Sequence, residues 1–364
     1  MQREGRAADA AIMASHDIIL IGASAGGVEA ISTIVAGLPR DLRAAVLIVL
    51  HVARGRSVFP EILQRAGRLP AAHALDGERL TYGRIYVAPP DHHMAVEEDR
   101  VRLNRGPIEN NVRPAVDPLF RSAARNFGTR VVGVIATGAL DDGAAGLAAV
   151  KQAGGIAIVQ DPDEAAAPGM PRSALSVVRA DHVLPIGEIA PMLVALTREH
   201  ASTSRTTGPL VQPMEPDSGP EPIVVRESDR PGRLAVLTCP ECSGNLWEDE
   251  AGGVLRFRCR VGHVYSAESM LSAHTDSVDR ALWAALRALE ERAALTRKLA
   301  DRARERDQKF IASTFLERAV IAEDQAALVR QVLLDRADPQ PVPETEQEGP
   351  GRPEPHHERA QGEE

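Results

Sequence analysis

DIILIGASAGGVEA, residues 17–30, is the stretch on which the fold turns. Its residues 18–21 form a short unbroken apolar run, the pattern of a strand buried on both faces of a parallel sheet. The run meets Gly22-Ala23-Ser24-Ala25-Gly26-Gly27, and Val28-Glu29-Ala30-Ile31 then reads as the start of a helix. A strand, a sharp glycine turn and a helix, with serine at the centre of G-x-S-x-G, make a nucleophile-elbow pattern. The glycines admit sharp dihedrals and keep bulk away from Ser24. Its Oγ is then expected at the carboxyl end of the sheet, with the N–H groups of a helix N-terminus behind it. Two plainer readings stay open from this stretch alone. The turn could cradle a dinucleotide, although G-x-G-x-x-G asks for glycine where Ser24 stands. It could also be purely structural, with Ser24 as the helix N-cap.

Outward from this stretch, the alternation continues. Apolar strand-like runs at 18–21, 45–50, 84–87, 131–136, 156–159 and 182–185 are separated by helical patterns at 28–37, 57–64, 118–127, 144–152, 171–177 and 189–197. That order predicts an α/β fold with a largely parallel, doubly wound sheet over residues 16–198. MAVEEDRVRL, 94–103, adds a small hairpin. Residues 199–233 lose periodicity and fill with Ser, Thr, Pro, Gly and Asp, as a linker does. A compact cysteine-bearing module follows at 234–270. Next, 271–337 is dense in Ala, Leu, Glu and Arg. As a single helix this stretch would run on the order of 100 Å, so a hairpin turning near 304–309 is expected. Leu282, Leu286, Leu289, Ala293 and Leu299 give its first apolar stripe, with Phe315, Val320, Ala327, Leu328 and Leu334 continuing it. The lead, 1–15, and the acidic tail, 338–364, read as disordered.

With 364 residues the chain has room for two or three domains, and 44% hydrophobic content supports a sizeable core with few aromatics. The formal charge of −9 is concentrated in the tail and argues against a nucleic-acid partner. Lysine occurs only at 151, 298 and 309. No stretch has the length of a membrane span and the N-terminus lacks a signal-peptide hydrophobic region, so the expected compartment is the cytoplasm.

A nucleophilic serine needs a base, and the base needs a group that fixes its tautomer. In open α/β sheets both come from loops at the carboxyl ends of strands. His51 directly follows the strand at 45–50, and the strand at 131–136 runs into Thr137-Gly138-Ala139-Leu140-Asp141-Asp142-Gly143. His73 precedes a turn, while His92 and His93 follow a Pro-Pro pair and fit the rim of the site. The order Ser24, His51, Asp142 also departs from the Ser…Asp…His order of α/β-hydrolases.

IGASAGGVEA, LHVARGRSVFPEIL, DGERLTYGRIYVAPPDHHM, NVRPAVDPLFRSAA, GVIATGALDDGAAGLAAVKQAGG and PGMPRSAL, in that order, resemble the catalytic domain of the CheB-type protein-glutamate methylesterases of bacterial chemotaxis. The resemblance runs from about residue 17 to 196. It implies a serine esterase that hydrolyses γ-glutamyl methyl esters on chemoreceptors or related signalling proteins, releasing methanol, with glutamine deamidation as a second reaction. Carried over by position, Ser24 is the nucleophile, His51 the base and Asp142 the triad aspartate, with Asp141 in the adjacent non-catalytic place. The oxyanion donors are left between the amides around Ala25–Gly26 and the loop Gly169-Met170-Pro171. No cofactor is implied for catalysis. The implied partners are a methylated receptor and, in the same signalling class, a methyltransferase or histidine kinase. A receiver domain of about 100 residues does not fit before Asp17, so that control is expected to be absent in cis. Ala25 stands where threonine is common, and Thr137-Gly138-Ala139-Leu140 where TGMG is usual.

Cys239-x₂-Cys242 and Cys259-x₃-His263 offer four ligands at zinc-ribbon spacing. With all four positions filled by protein, the zinc is expected to be structural. No dense basic patch surrounds the module, so it points to protein contact, and the C-terminal helices to packing or a homo-oligomer. The second functional reading is a low-activity signalling scaffold that recruits partners through ribbon and helices. A third, a general small-molecule esterase, would turn over aryl esters quickly.

Overall fold

Aliphatic runs with no polar interruption leave a strand no exposed face. β1 (Ile18–Ala23) and β2 (Ala45–Leu50) are accordingly buried at every position. The structure is a computed structural model that describes residues 16–52, 54–198, 232–251 and 253–337. The lead, most of the linker and the acidic tail expected from sequence lie outside the described residues. In chain order, α1 (Gly27–Ala36) follows β1 and α2 (Phe59–Ala66) follows β2. Then come β3 (Ala71–His73), β4 (Arg84–Val87) and the hairpin β5 (His93–Glu97) with β6 (Arg100–Asn104). The domain is completed by α3 (Val116–Phe127), β7 (Val131–Ile135), α4 (Ala144–Gln152), β8 (Ile156–Gln160), α5 (Gly169–Val177), β9 (His182–Leu184) and α6 (Ile186–Leu196).

Seven strands form one parallel sheet in the order β3-β4-β2-β1-β7-β8-β9. Side chains alternate between its two faces. Leu20, Leu47 and Val49 meet α3, α4 and α5 through Phe120, Leu147 and Ala174. Ile19, Ile21, Val46 and Ile48 meet α1, α2 and α6 through Ile31, Leu63 and Leu193. β1 lies at the centre. The chain winds outward from it through β2 in one direction and returns to its other side at β7. That reversal is the place where open α/β sheets make their crevice, outside the carboxyl ends of the strands. β3 is not legible in the sequence: Ala-Ala-His has no strand signature and is a strand through its pairing with Ile85, Tyr86 and Val87 of β4.

The cysteine module is a four-stranded antiparallel sheet, β10 (Arg233–Thr238), β11 (Asn245–Ala251), β12 (Val254–Cys259) and β13 (Val264–Ser266). Its small core gathers Cys239, Leu246, Phe257, Cys259, Tyr265 and Met270. α7 (Ala267–Glu305) and α8 (Lys309–Ala337) follow, and the break between them falls where a hairpin is expected. Two compact units divide within α7, between Thr275 and Asp276. In the second unit the ion pairs Arg297–Glu323 and Arg330–Glu290 set α7 and α8 antiparallel. The apolar stripe expected on α8 is corrected: Val320, Leu328 and Leu334 are exposed, and the seam is made by Ala312, Ala319, Ala322, Ala326 and Leu333. Alanines let two helices approach closely, so the larger residues on the other side of α8 stay in water. Among the described residues, no helix is long and apolar enough to cross a membrane.

Candidate active site

Parallel pairing aligns Ala23 of β1 with Leu50 of β2. The next residue on each strand, Ser24 and His51, therefore leaves the sheet at the same rim. The His51 amide still donates to Ala23 O at 3.2 Å, and the Ser24 amide donates across to Thr137 O at 2.9 Å. Ser24 thus sits between the ends of β2 and β7, at the crevice. The helix cap is Gly26 at φ 73°, with no side-chain cap bond, so Ser24 is not an N-cap. A Cβ at Gly26 would stand 2.8 Å from Ala166 Cβ, which leaves room there only for glycine.

His51 Nε2 lies 2.7 Å from Asp142 Oδ2, with the two side chains 12% and 3% exposed. Asp142 also accepts the Val116 amide on Oδ2 at 2.6 Å, and Asn110 Nδ2 at 3.0 Å and the Asp117 amide at 3.3 Å on Oδ1. Burial alone would raise its pKa, but the His51 bond, His51's charge and these donors outweigh it and hold the carboxyl below its ordinary value. An ionised carboxylate only accepts. The Nε2 of His51 therefore donates to it, and Nδ1 is the ring nitrogen not committed to the acid. Ser24 Oγ makes no hydrogen bond among the described residues, so the imidazole is tied to the acid while the serine stands unlinked beside it. Unliganded sites often show such loose nucleophile geometry.

Several neighbouring groups are also placed. Asp117 is buried; lost solvation and the Asp142 charge raise its pKa, while the Gly146 amide donates to it at 2.6 Å. Asp141 accepts the Ser266 hydroxyl at 2.7 Å; burial pushes it up to about 6. The rim position expected for His93 is corrected. The ring is buried, donating from Nε2 to Pro107 O at 2.9 Å and accepting the Ala115 amide on Nδ1 at 3.2 Å. His92 and His73 contact the Pro90 and Ser57 carbonyls. Of the two oxyanion candidates, the Met170 amide is committed to Gly138 O at 2.8 Å. The Ala25 and Gly26 amides have no acceptor among the described residues. Beside His51, a cavity of about 190 Å³ is lined by Val52, Arg54, Asn111, Val112 and Arg113.

Asn110 was not marked by the sequence. It is a buried residue in an aperiodic loop, at φ 50°, and its amide bridges Asp117 and Asp142. A non-glycine residue in that backbone region, asparagine above all, is a turn signal, but nothing local reveals its target.

Away from this rim, the ligand atoms of Cys239, Cys242, Cys259 and His263 all lie within 4.8 Å of one another. Cys242 and Cys259 Sγ are 3.7 Å apart, and His263 Nδ1 is 3.5 and 3.4 Å from the sulfurs of Cys239 and Cys259. A tetrahedral zinc with ordinary bond lengths has edges of about 3.8 Å between sulfurs and about 3.6 Å between sulfur and nitrogen. The cluster can therefore hold a metal ion of that size.

The family described as CheB methylesterase matches residues 19–193. A putative protein-glutamate methylesterase/protein-glutamine glutaminase of Leptospira interrogans is 37% identical over 188 residues, 51% of this chain and 97% of that protein. Protein-glutamate methylesterase/protein-glutamine glutaminase 2 of Anaeromyxobacter dehalogenans is 40% identical over 54% of this chain and 58% of its own length. Number 4 of Geobacter metallireducens is 44% identical over 50% and 53%. The chain thus spans about half the length of these last two relatives. The crystal structure of the Thermotoga maritima CheB methylesterase catalytic domain covers 50% of this chain and 98% of its own, at 34% identity and a TM-score of 0.48. Through a match that takes in nearly the whole of the Leptospira protein, the chain belongs to the CheB methylesterase family.

Proposed function

We propose that the protein hydrolyses γ-glutamyl methyl esters on a signalling protein of the chemoreceptor class, with Ser24 as nucleophile, His51 as base and Asp142 as the group that orients it. The observation that carries this reading is the 2.7 Å hydrogen bond between His51 Nε2 and a buried, fourfold-bonded Asp142, at the strand end beside Ser24. Because Nε2 is committed, Nδ1 takes the proton as Ser24 Oγ bonds to the ester carbonyl carbon. The oxyanion is received by the Ala25 and Gly26 amides at the start of α1, where the helix dipole adds to their pull. As the C–O bond to methoxide breaks, the proton on Nδ1 passes to it and methanol leaves. Water then adds to the acyl-serine, with His51 again as base, and frees the glutamate. Arg54 and Arg113, both paired to Asp91, are the charged residues lining the cavity, which gives it a positive balance suited to a glutamate-rich substrate. Glutamine deamidation uses the same steps with ammonia leaving.

Cys239, Cys242, Cys259 and His263 hold a structural zinc, because four protein ligands leave no open position for a substrate. The zinc braces the ribbon and takes no part in ester hydrolysis. Near-zero zinc in protein purified from zinc-replete cells would contradict this. The reading places the protein in the cytoplasm with the methylated receptor as its macromolecular partner.

The test is release of volatile label from a receptor preparation carrying radiolabelled methyl esters. The intact chain should release methanol, and Ser24→Ala should lower the rate by about 10³-fold or more. Undiminished release by that variant removes Ser24 as nucleophile.

A further inference from the structure

The ribbon and the α/β domain lie in the same compact unit, and they meet at the residue behind the catalytic-site aspartate. β13 continues its pairing into the loop before α3: the Asn110 amide donates to Val264 O at 2.9 Å and the Val264 amide to Ile108 O at 3.2 Å. The Asn110 side chain is then fixed from both sides. Its two amide hydrogens go to Asp117 Oδ2 at 3.1 Å and Asp142 Oδ1 at 3.0 Å. Its Oδ1 accepts the Ser266 amide at 3.1 Å and lies 3.3 Å from the Ser269 hydroxyl, which is itself 2.8 Å from Ser266 Oγ. Ser266 caps the start of α7, accepting the Ser269 amide at 3.0 Å, and donates its hydroxyl to Asp141 at 2.7 Å. Asn111 Nδ2 reaches Ser269 O at 2.8 Å. All of these groups are buried or partly buried, and Ser269 is 0% exposed.

We propose that the ribbon is a built-in brace of the active site: Ser266 and Ser269 latch Asn110, which acts as a positioning residue for Asp142 and through it for His51. The proposal rests on the reading of His51 and Asp142 given above. A primary amide turned by 180° would put its oxygen against two carboxylates. The ribbon's N–H and O–H donors make that turned state unfavourable, because Oδ1 would leave them unpaired in a buried place. His263, the last residue of the cysteine–histidine cluster, directly precedes β13, whose residues are Val264, Tyr265 and Ser266. The state of the ribbon is therefore transmitted over a few residues of backbone to the Asn110 oxygen. The coupling runs through contiguous hydrogen bonds, and the two orientations of Asn110 supply its bistable element.

The experiment compares the full-length chain with its Ser266→Pro/Ser269→Ala double variant, which removes the N–H donor to Asn110 Oδ1 and the Ser269 hydroxyl beside it; neither serine touches substrate, His51 or Asp142. Three quantities are read: zinc content, the KM and kcat of methyl-ester hydrolysis, and the far-downfield proton resonance of His51 Nε2–H. With the ribbon still metal-loaded, the brace expects kcat to fall about tenfold, the equivalent of one hydrogen bond to a charged group, with KM changed less than about twofold. It also expects the Nε2–H resonance to broaden or disappear. Asn110→Ala should reproduce both effects. A metal-loaded double variant with the parent's kcat and an unchanged resonance overturns the proposal. If the substitutions release the metal and unfold the ribbon, an unchanged resonance overturns it equally. Should the parent chain hydrolyse no methyl ester, the functional reading fails, and the resonance alone decides the brace.

Discussion

Gly138 faces Ser24 so closely that a methyl group on its α-carbon would stand 2.9 Å from Ser24 Cβ and 2.1 Å from the Met170 sulfur. Real Cβ atoms do not make such contacts, so a side chain at 138 must push Ser24 or Met170 aside. Gly138→Ala should lower kcat by about 10²-fold, as misplacement of a reacting group by an ångström does. The loss of stability should be smaller, about 1–3 kcal/mol. Steady-state kinetics beside urea unfolding separates the two; unchanged kcat would show that Ser24 tolerates the intrusion.

Asp17 anchors the amino end of β1. Its buried carboxylate takes both Nε and Nη2 of Arg130, at 2.8 and 2.7 Å, and the Tyr82 hydroxyl at 2.5 Å. Removing one partner of such a pair leaves the other charge uncompensated. Asp17→Ala should cost about 1–3 kcal/mol, since Arg130 is partly exposed and water takes up some of its charge, while the folded fraction keeps its esterase activity, since Ser24 and His51 lie at the opposite end of the strands. A cost below about 1 kcal/mol in urea unfolding would contradict the anchor.

Leu140 holds φ 61°, immediately before the two aspartates. A branched side chain in the left-handed region is strained by about 1–2 kcal/mol, so glycine would suit this backbone better. Leu140→Gly should relieve that strain and leave thermal stability unchanged or higher despite glycine's greater unfolded-state entropy. A lower Tm would mean that the leucine side chain contributes more by packing than its backbone costs.

Asp141 should write its burial into the pH dependence of stability. Its folded pKa is raised, to about 6 from 3.8, so the native state binds the proton more tightly than the unfolded chain does. Its contribution is therefore fully present below about pH 4 and is lost as pH rises through about 6. Asp141→Asn keeps an oxygen for the Ser266 hydroxyl and removes the titration. The stability of the variant relative to the parent should climb by up to about 2 kcal/mol over that window. Parallel curves would show that Asp141 is not perturbed.

The parts of this molecule that can be read from sequence are those that local chemistry dictates. Residues 18–21 and 45–50 are aliphatic without a break, and only a strand covered on both faces accommodates that. Gly22, Gly26 and Gly27 around Ser24 mark a turn that nothing bulkier could make. The cluster of Cys239, Cys242, Cys259 and His263 is legible because metal-ligand spacing is a short-range property. Other features depend on partners that sequence does not display. β3 is a strand through its pairing with β4. The exposed leucines of α8 follow from a seam of alanines that a hydrophobicity pattern ranks too low. Asn110 takes its meaning from Ser266, 156 residues further along the chain. His93, which in sequence looks like a rim histidine, is held inside by the Pro107 carbonyl and the Ala115 amide.

The claim on which the functional reading stands is that Ser24 is activated through His51. The most direct measurement is the rate and position of covalent labelling by a fluorophosphonate, with the labelled residue identified by peptide mass spectrometry in the intact chain and in His51→Gln. The account expects the label on Ser24 and a labelling rate about 10³-fold lower in the variant, the scale of losing a triad base. Label on another residue, or an undiminished rate in His51→Gln, would contradict it.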